Sequence, residues 1–317
     1  MARVFIDGQA GTTGLRLAQR LAGRQDIELV VIDEMLRKDP AARLNCIEES
    51  DVTFLCLPDK EAIEISAIAA DTPCRVIDCS TAHRTASGWV YGLPELGENI
   101  TAAYRISNPG CHATGFIMAV RPLTDAGILD PKARLSCHSV TGYSGGGKPM
   151  IAEYEEHKKR HGEAPRAPRQ YGFSQEHKHL PEMHKYSGLE TAPVFAPIVC
   201  DYYSGMLVSV PLPREALRTD ASAEDVQGAL AAFYEGRPLV KVRVRGGEFS
   251  EEAGAGYLSA DAFAGRDDIE IFVTGKDDRI EIVSRYDNLG KGASGAAIQN
   301  MNILLGLPED TGLITGA

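Results

Sequence analysis

Short apolar runs separated by helical patterns fill the first third of the chain: Val4-Phe5-Ile6, then Leu15 to Leu21, Ile27 to Ile32, Val52 to Leu57, Ala62 to Ala70 and Val76-Ile77. Strand, helix, strand repeated in this way predicts a parallel sheet with crossover helices, because parallel neighbours need a long return connection. Beyond about residue 135 the pattern changes. Leu239 to Val244 alternates apolar with basic positions, and Ile269 to Thr274 turns through Gly275 to Arg279 into Ile280 to Ser284, which predicts a hairpin in a mostly antiparallel or mixed sheet. Between these regions, His157 to Arg169 is rich in Lys, Arg, Pro and Gly and reads as a solvated loop, with a lid near an anionic substrate as the alternative. The tail from Leu289 to Asn302 is a small-residue helical pattern ending in Ile303-Leu304-Leu305. Small residues let a helix approach another backbone closely, so this tail either packs back on the first domain, making it discontinuous, or lies on the second.

Composition narrows the classes of function. At 317 residues with 44% hydrophobic and 24% charged positions, the chain is long enough for two packed domains and is not disordered. Forty-four acidic against 33 basic residues give a net charge of -11, which argues against nucleic acid and anionic lipid as partners. The seven cysteines (Cys46, Cys56, Cys74, Cys79, Cys111, Cys137 and Cys200) are odd in number and contain no Cys-x-x-Cys pair, so a reducing, cytoplasmic setting is expected rather than a disulfide framework. No stretch of apolar residues is long enough to predict a membrane span or an export signal.

The first candidate chemistry is a glycine loop. Gly8-Gln9-Ala10-Gly11-Thr12-Thr13-Gly14 follows the first strand and opens a helix, the setting in which glycines let a backbone approach a pyrophosphate at a helix amino terminus. Its spacing is G-x-x-G-x-x-G rather than G-x-G-x-x-G, and an ordinary tight turn is the alternative. Asp33, at the end of the second strand, stands where an acid commonly bonds the adenosine ribose and selects NAD, but Arg37 and Lys38 follow and can offset it or hold a phosphate. A second glycine run, Gly142 to Lys148, has the spacing of a P-loop, yet Pro149 occupies the Ser/Thr position that would bind magnesium. The Ser144 to Gly147 stretch still offers backbone N–H groups for a small phosphate or carboxylate.

Cys111 follows a Pro109-Gly110 turn and precedes the apolar helical stretch Phe116 to Leu123. A thiol at a helix amino terminus feels the positive end of the macrodipole, which favours the thiolate and marks Cys111 as a nucleophile; the other cysteines sit mostly in apolar runs and read as packing. A histidine cluster, Glu176-His177-Lys178-His179-Leu180-Pro181-Glu182-Met183-His184, offers three roles: acid/base partners for Cys111, zinc ligands through His177, His179 and Glu182, or structural histidines.

Together these segments resemble the short-form N-acetyl-γ-glutamyl-phosphate reductases, relatives of aspartate-semialdehyde dehydrogenase. The resemblance runs over nearly the whole chain and rests on Phe5 through Gly14, Cys79 to Arg84, Gly88 to Leu96, Ser107 to Cys111, Gly142 to Lys148, His177 to Met183, and Lys291 to Asn302. It implies an α/β fold with a Rossmann-type parallel sheet domain (residues 1–110 and 287–317) and an α+β catalytic and oligomerisation domain (residues 111–286) with a mixed or antiparallel sheet. It also implies reduction of an acyl phosphate through a thioester on Cys111, with His177 or His179 as general acid and base. Arg84, Ser144, Gly145 and Glu182 are the candidates for substrate, and Gly8, Gly11, Thr12, Thr13, Gly14, Ser80, Asn288 and Asn300 for cofactor; no metal is expected. One departure stands out: long-form relatives read Asp-Leu-Ser-Ala-Asp-Phe-Arg where this chain has Asp78-Cys79-Ser80-Thr81-Ala82-His83-Arg84. The family implies NADP, against the Asp33 rule, and a homo-oligomer. Competing functions are an aspartyl-phosphate enzyme with the same cysteine chemistry, a dinucleotide-binding sensor without turnover, and a zinc hydrolase.

Overall fold

The computed structural model describes the chain apart from residues 163, 219–220, 244–255 and 317. It divides into two compact units, one of Met1–Pro109 with Ala293–Leu313 and one of Gly110–Gly292 with Ile314–Ala317.

In the first unit the predicted alternation forms β1 (Ala2–Asp7), α1 (Thr12–Leu21), β2 (Ile27–Val30), α2 (Pro40–Glu48), β3 (Val52–Leu55), α3 (Asp59–Ile68), β4 (Arg75–Asp78), β5 (Val90–Tyr91) and β6 (Arg105–Ser107). The strands make one parallel sheet in the order β2-β1-β3-β4-β6-β5. Its central strands are mostly apolar because both faces are covered. Val4 and Ile6 point to a cluster with Leu17 and Leu21 of α1, while Phe5 between them points to a second cluster with Ile47 of α2 and Ile65 of α3. Helix α2 begins where the sequence supplies a cap: Asp39 accepts the Ala42 N–H at 2.8 Å, and Pro40 occupies the first turn.

The second unit contains α4 (Cys111–Asp125), β7 (Ser136–Gly142), α5 (Gly147–His161), β8 (Arg169–Gln170), α6 (Leu180–Ser187), β9 (Val194–Cys200), β10 (Met206–Pro213), α7 (Ala223–Phe233), β11 (Val240–Val242), β12 (Ile269–Lys276) and β13 (Arg279–Tyr286). Its sheet runs β11-β12-β13-β10-β7-β9-β8 and is mixed: β7 pairs with β9 and β11 with β12 in parallel, and the remaining neighbours are antiparallel. The hairpin expected around Gly275 forms with Lys276 opposite Arg279. Val244, the end of the strand expected from Leu239, lies outside the described residues.

Helix α4 is buried over most of its length and packs on β10, β13, α6 and α7. It tolerates Pro122 in its interior because the acceptor that proline leaves without its usual N–H, the Met118 carbonyl four residues earlier, takes the Tyr234 hydroxyl at 2.7 Å. The loop expected over His157 to Arg169 needs correcting. Helix α5 continues through His161, carried by good helix formers and a Glu156–Arg160 pair one turn apart, and it ends at Gly162 with a φ of +68°. Glu163 lies outside the described residues.

The small-residue tail forms α8 (Gly295–Leu304), which belongs to the first unit; Ala297, Ile298, Met301 and Leu304 join the α1 cluster. A five-residue π-turn, Gly290–Ser294, precedes it.

The close packing of α1 on β1 depends on Gly14, where a Cβ would lie 2.4 Å from the Gly8 carbonyl oxygen. Both atoms are in rigid backbone, so Gly14→Ala is expected to destabilise the protein by about 1–3 kcal/mol through overpacking. Urea unfolding of the variant beside the wild type measures this, and an unchanged midpoint would show that the helix can shift freely.

Candidate active site

Cys111 is the first residue of α4 and is half-buried. Three contacts within the second unit build the turn that holds it. The N-cap, Gly110, has no side chain to cap the helix with, and its own N–H is taken at 2.9 Å by the carboxylate of Glu182 on α6. The Tyr286 hydroxyl accepts the Gly115 N–H at 3.0 Å and donates to the Cys111 carbonyl, so it bridges the pair that an α-helix joins directly. Gly292, in the π-turn, comes so close that a Cβ there would lie 2.9 Å from the Cys111 Cβ. The positive end of the helix dipole at the first turn favours a thiolate at this position.

Histidine rings surround the thiol. The Cys111 Sγ, one ring nitrogen of His112 and one of His179 all lie within 4.8 Å of one another. His112, His177 and His179 pack ring against ring, with centroids 4.7 to 5.7 Å apart, and Phe195 backs His112 and His177. The backbone N–H of His179 donates to His177 Nδ1 at 3.2 Å, and His179 Nε2 stands 4.0 Å from the buried Glu182 carboxylate. His112 is sealed off: Nδ1 meets Ser139 Oγ at 2.6 Å and Nε2 meets the Tyr171 hydroxyl at 2.9 Å. Burial, reinforced by the positive charge of His177 and Lys178, pushes the His112 pKa down to about 3, so this ring is neutral at physiological pH.

In the first unit the glycine loop sits at the carboxyl end of β1. Gly8 has a φ of +88°, and a Cβ there would strike the Cys56 carbonyl oxygen at 2.4 Å; Gly11 caps α1 with no side-chain bond to the first-turn N–H groups. These two features fit a phosphate-bearing ligand at the helix amino terminus. Beside the loop is a cleft of about 300 Å³ that includes Asp7, Gly8, Glu34, Arg37, Lys38 and Arg43. Arg43 donates to the Arg37 carbonyl at 2.8 Å and stands 3.4 Å from Asp7, whose pKa burial raises to about 6 against the pull of Arg43. The Asp33 carboxylate bonds the Met35 N–H at 2.8 Å.

Residues 111–288 match the family model of the semialdehyde dehydrogenase dimerisation domain, and residues 32–103 match that of the semialdehyde dehydrogenase NAD binding domain. N-acetyl-gamma-glutamyl-phosphate reductase 2 of Nostoc sp. (strain PCC 7120 / SAG 25.82 / UTEX 2576) is 44% identical over 326 residues, covering 98% of this chain and 99% of its own. N-acetyl-gamma-glutamyl-phosphate reductase of Trichormus variabilis is 44% identical over 322 residues with the same coverage. This chain belongs to the N-acetyl-gamma-glutamyl-phosphate reductase family. Its fold is that of a solved aspartate semialdehyde dehydrogenase II from Vibrio cholerae, with a TM-score of 0.69 at 18% identity over 96% of this chain and 98% of that one. Among the described residues no helix is long and apolar enough to cross a membrane.

Within the second unit the structure brings Cys111, His179 and Glu182 together, with His177 against His179, and Glu182, expected among the substrate contacts, instead spends one carboxylate oxygen on the Gly110 N–H. The converging donor atoms are those of Cys111, His112 and His179, not the His177, His179 and Glu182 set considered for zinc. Asn288 bonds Ser144 Oγ at 3.0 Å and takes the Gly205 N–H at 2.9 Å. The nest expected from Ser144 to Gly147 is smaller than the sequence suggested, because the Ser144 N–H donates to the Tyr203 carbonyl at 3.0 Å. Gly145 lies against Asn288. In the first unit Ser80 is folded into its own loop, donating its hydroxyl to Asp78 at 2.8 Å, and His83 closes on the same carboxylate at 2.6 Å. Arg84 is buried and donates to the Asn108 carbonyl at 3.0 Å. Asn300 donates to the Gly92 and Ala296 carbonyls. Thr12, Thr13 and Gly14 form the first turn of α1. Sequence reading missed His112, Ser139, Tyr171, Tyr286, Gly292 and Arg43. The identity of the residue after Cys111 was the only signal for His112, and no local spacing links Cys111 to the others.

Two outcomes follow for this site. Burial raises the thiol pKa of Cys46, Cys74, Cys137 and Cys200, and a hydrogen bond with Cys79, added to burial, raises that of Cys56, so iodoacetamide at neutral pH is expected to label Cys111 ahead of them; peptide mapping that finds even labelling would displace the thiolate assignment. Because the native state holds His112 neutral while the unfolded chain protonates it near 6.5, this residue's contribution to stability is complete above pH 6.5 and falls as pH drops toward 3. Between pH 6.5 and 5 the loss is about 2 kcal/mol. Wild type should lose that much more than His112→Phe across the interval in urea unfolding; parallel losses would show that the ring is not buried neutral.

Proposed function

We propose that the protein reduces N-acetyl-γ-glutamyl phosphate to N-acetylglutamate 5-semialdehyde, with release of phosphate and with NADPH as the reductant, in arginine biosynthesis. The observation that carries the reading is the Cys111 sulfur at the start of α4 within 4.8 Å of a His179 ring nitrogen, in a chain 44% identical to named reductases. The Cys111 thiolate attacks the acyl carbon, the carbon–oxygen bond to phosphate breaks, and a thioester remains on Cys111. When bound, a reduced nicotinamide would supply a hydride, which the electrophilic thioester carbon accepts and a carboxylate does not. His179 holds the proton that the resulting oxygen needs and takes it back as the carbon–sulfur bond breaks and the aldehyde leaves. His112 cannot share that work at neutral pH, since its ring stays neutral. Glu182, by fixing the N-cap and facing His179, orients both partners.

The first-turn N–H groups of α1 and the open backbone of Gly8 would hold the pyrophosphate, and the cations of the adjoining cleft would hold a 2′-phosphate. Asp33 does not oppose this, because its carboxylate is turned to the Met35 N–H and the cleft is lined by Arg37, Lys38 and Arg43. Assembly into a homo-oligomer is supported by the dimerisation-domain match of the second unit.

The test is phosphate-dependent oxidation of N-acetylglutamate semialdehyde with NADP and with NAD. Cys111→Ser is expected to abolish turnover and keep dinucleotide binding; near-wild-type turnover would end the thioester mechanism. Arg43→Ala and Arg37→Ala are each expected to lower kcat/KM for NADP by about 10- to 100-fold, the value of a hydrogen bond to a charged group, with little change for NAD. A wild-type preference for NAD would defeat the NADP assignment.

A further inference from the structure

Asp7 ends β1 beside the glycine loop, lines the cleft with Arg37, Lys38 and Arg43, and is only 3% exposed. Its Oδ2 is buried and has no hydrogen-bond partner among the described residues. A buried carboxylate oxygen in that condition is costly, and the cation facing it is Arg43 of α2, whose Nε stands 3.4 Å away. The Arg43 Nε–H nevertheless donates to the Arg37 carbonyl at 2.8 Å, and among the described residues its two outer guanidinium nitrogens have no hydrogen-bond partner. The main chain before α2 therefore holds the guanidinium in place, and Asp7 offsets its charge. The outer nitrogens are left for a planar, bidentate hold on a phosphate. The other acid of the cleft differs. Glu34 pairs with Arg37 at 2.5 Å, but both side chains are at least half exposed, so water and salt screen that pair. The groups that face Asp7 are Arg43 and Cys46 on α2, Cys56 just after β3 and the Gly8 N–H, and burial keeps solvent from screening them.

We propose that Asp7 is a positioning residue for cofactor choice: its carboxylate is a built-in counter-charge on Arg43, which the 2′-phosphate of NADP must oppose in order to bind. The inference rests on the reading of this cleft as the 2′-phosphate site. A phosphate held by Arg43 shares that cation with Asp7, and two anions at close range repel. NAD, with an uncharged ribose edge, meets no such repulsion, so Asp7 narrows the gap between the two cofactors that the three cations open. Uptake of a proton by Asp7 removes the conflict, and burial already holds its pKa at about 6. The handicap on the phosphate is thus complete well above pH 6 and fades as pH falls through it.

The readout is calorimetric binding of adenosine 2′,5′-bisphosphate and of adenosine 5′-monophosphate to the full-length protein, which needs no turnover. At about pH 7.5, Asp7→Asn is expected to bind the bisphosphate about 10-fold more tightly than wild type, the worth of one like charge a few ångströms away, with the monophosphate unchanged. Glu34→Gln changes bisphosphate affinity far less, because its pair is screened. At about pH 5 the advantage of Asp7→Asn over wild type shrinks toward none, since Asp7 is itself protonated there. The comparison of variant with wild type cancels the titration of the ligand's own phosphate, and a merely structural effect of the substitution would persist at both pH values. Asp7→Ser supplies the same comparison if the asparagine variant fails to fold. Unchanged or weaker bisphosphate binding in the uncharged variant, or an advantage independent of pH, would overturn the proposal. A wild type that binds both nucleotides equally, beside an Asp7→Asn variant that favours the bisphosphate, would refute the NADP assignment and leave the counter-charge standing.

Discussion

A helix that begins inside the protein must find partners for N–H groups that have none within the helix, and α4 begins at Cys111 under that constraint. Glu182 reaches from α6 to the Gly110 N–H, Tyr286 inserts its hydroxyl into the first turn, and Gly292 leaves room for the Cys111 Cβ. Each partner comes from a different part of the chain, so the thiol is placed only once β13, α6 and the π-turn are in register. The rest of α4 is buried against the sheet, which makes this turn a fixed end of a packed rod rather than a frayed terminus. The helix dipole that favours the thiolate is thus supplied by the same element that anchors the fold of the second unit.

Desolvation sorts the histidines around this thiol into different duties. His112 follows the nucleophile directly, yet its burial takes it out of proton transfer and makes it a hydrogen-bond spacer. His179, on the turn leading into α6, faces the Glu182 carboxylate. The same residue type thus meets different surroundings on the two sides of the thiol, one ring buried between two hydroxyls and the other beside a carboxylate.

The first unit makes a comparable point about cofactor choice. A local rule reads an acid at the end of the second strand as a ribose ligand, but the carboxylate of Asp33 is satisfied by the N–H of Met35, two residues on. What the cleft presents instead is three cations, one of them brought by α2, against Asp7 and Glu34. A position in sequence fixed where Asp33 stands and not which way its side chain turns.

Much of this could be read from local pattern. Apolar runs at strand and helix periods located the parallel sheet, because burial on both faces leaves short runs of consecutive apolar residues in its strands; the Pro109-Gly110 turn before an apolar helix marked Cys111; and Gly8 to Gly14 marked the loop that no side chain can fill. The reach of α5 to His161 was hidden by its charged surface, since a solvated helix lacks the apolar stripe that betrays a buried one. The cluster around Cys111 was legible only in its contiguous parts, Cys111 itself and the His177 to Glu182 segment. Ser139 and Tyr171 reach His112 through the pairing of β7 with β9 and of β9 with β8, and Tyr286 through β13. Strand register is a long-range property set by packing, so the sequence by itself determined the chemistry available, and the tertiary structure alone decided which groups it is shared among.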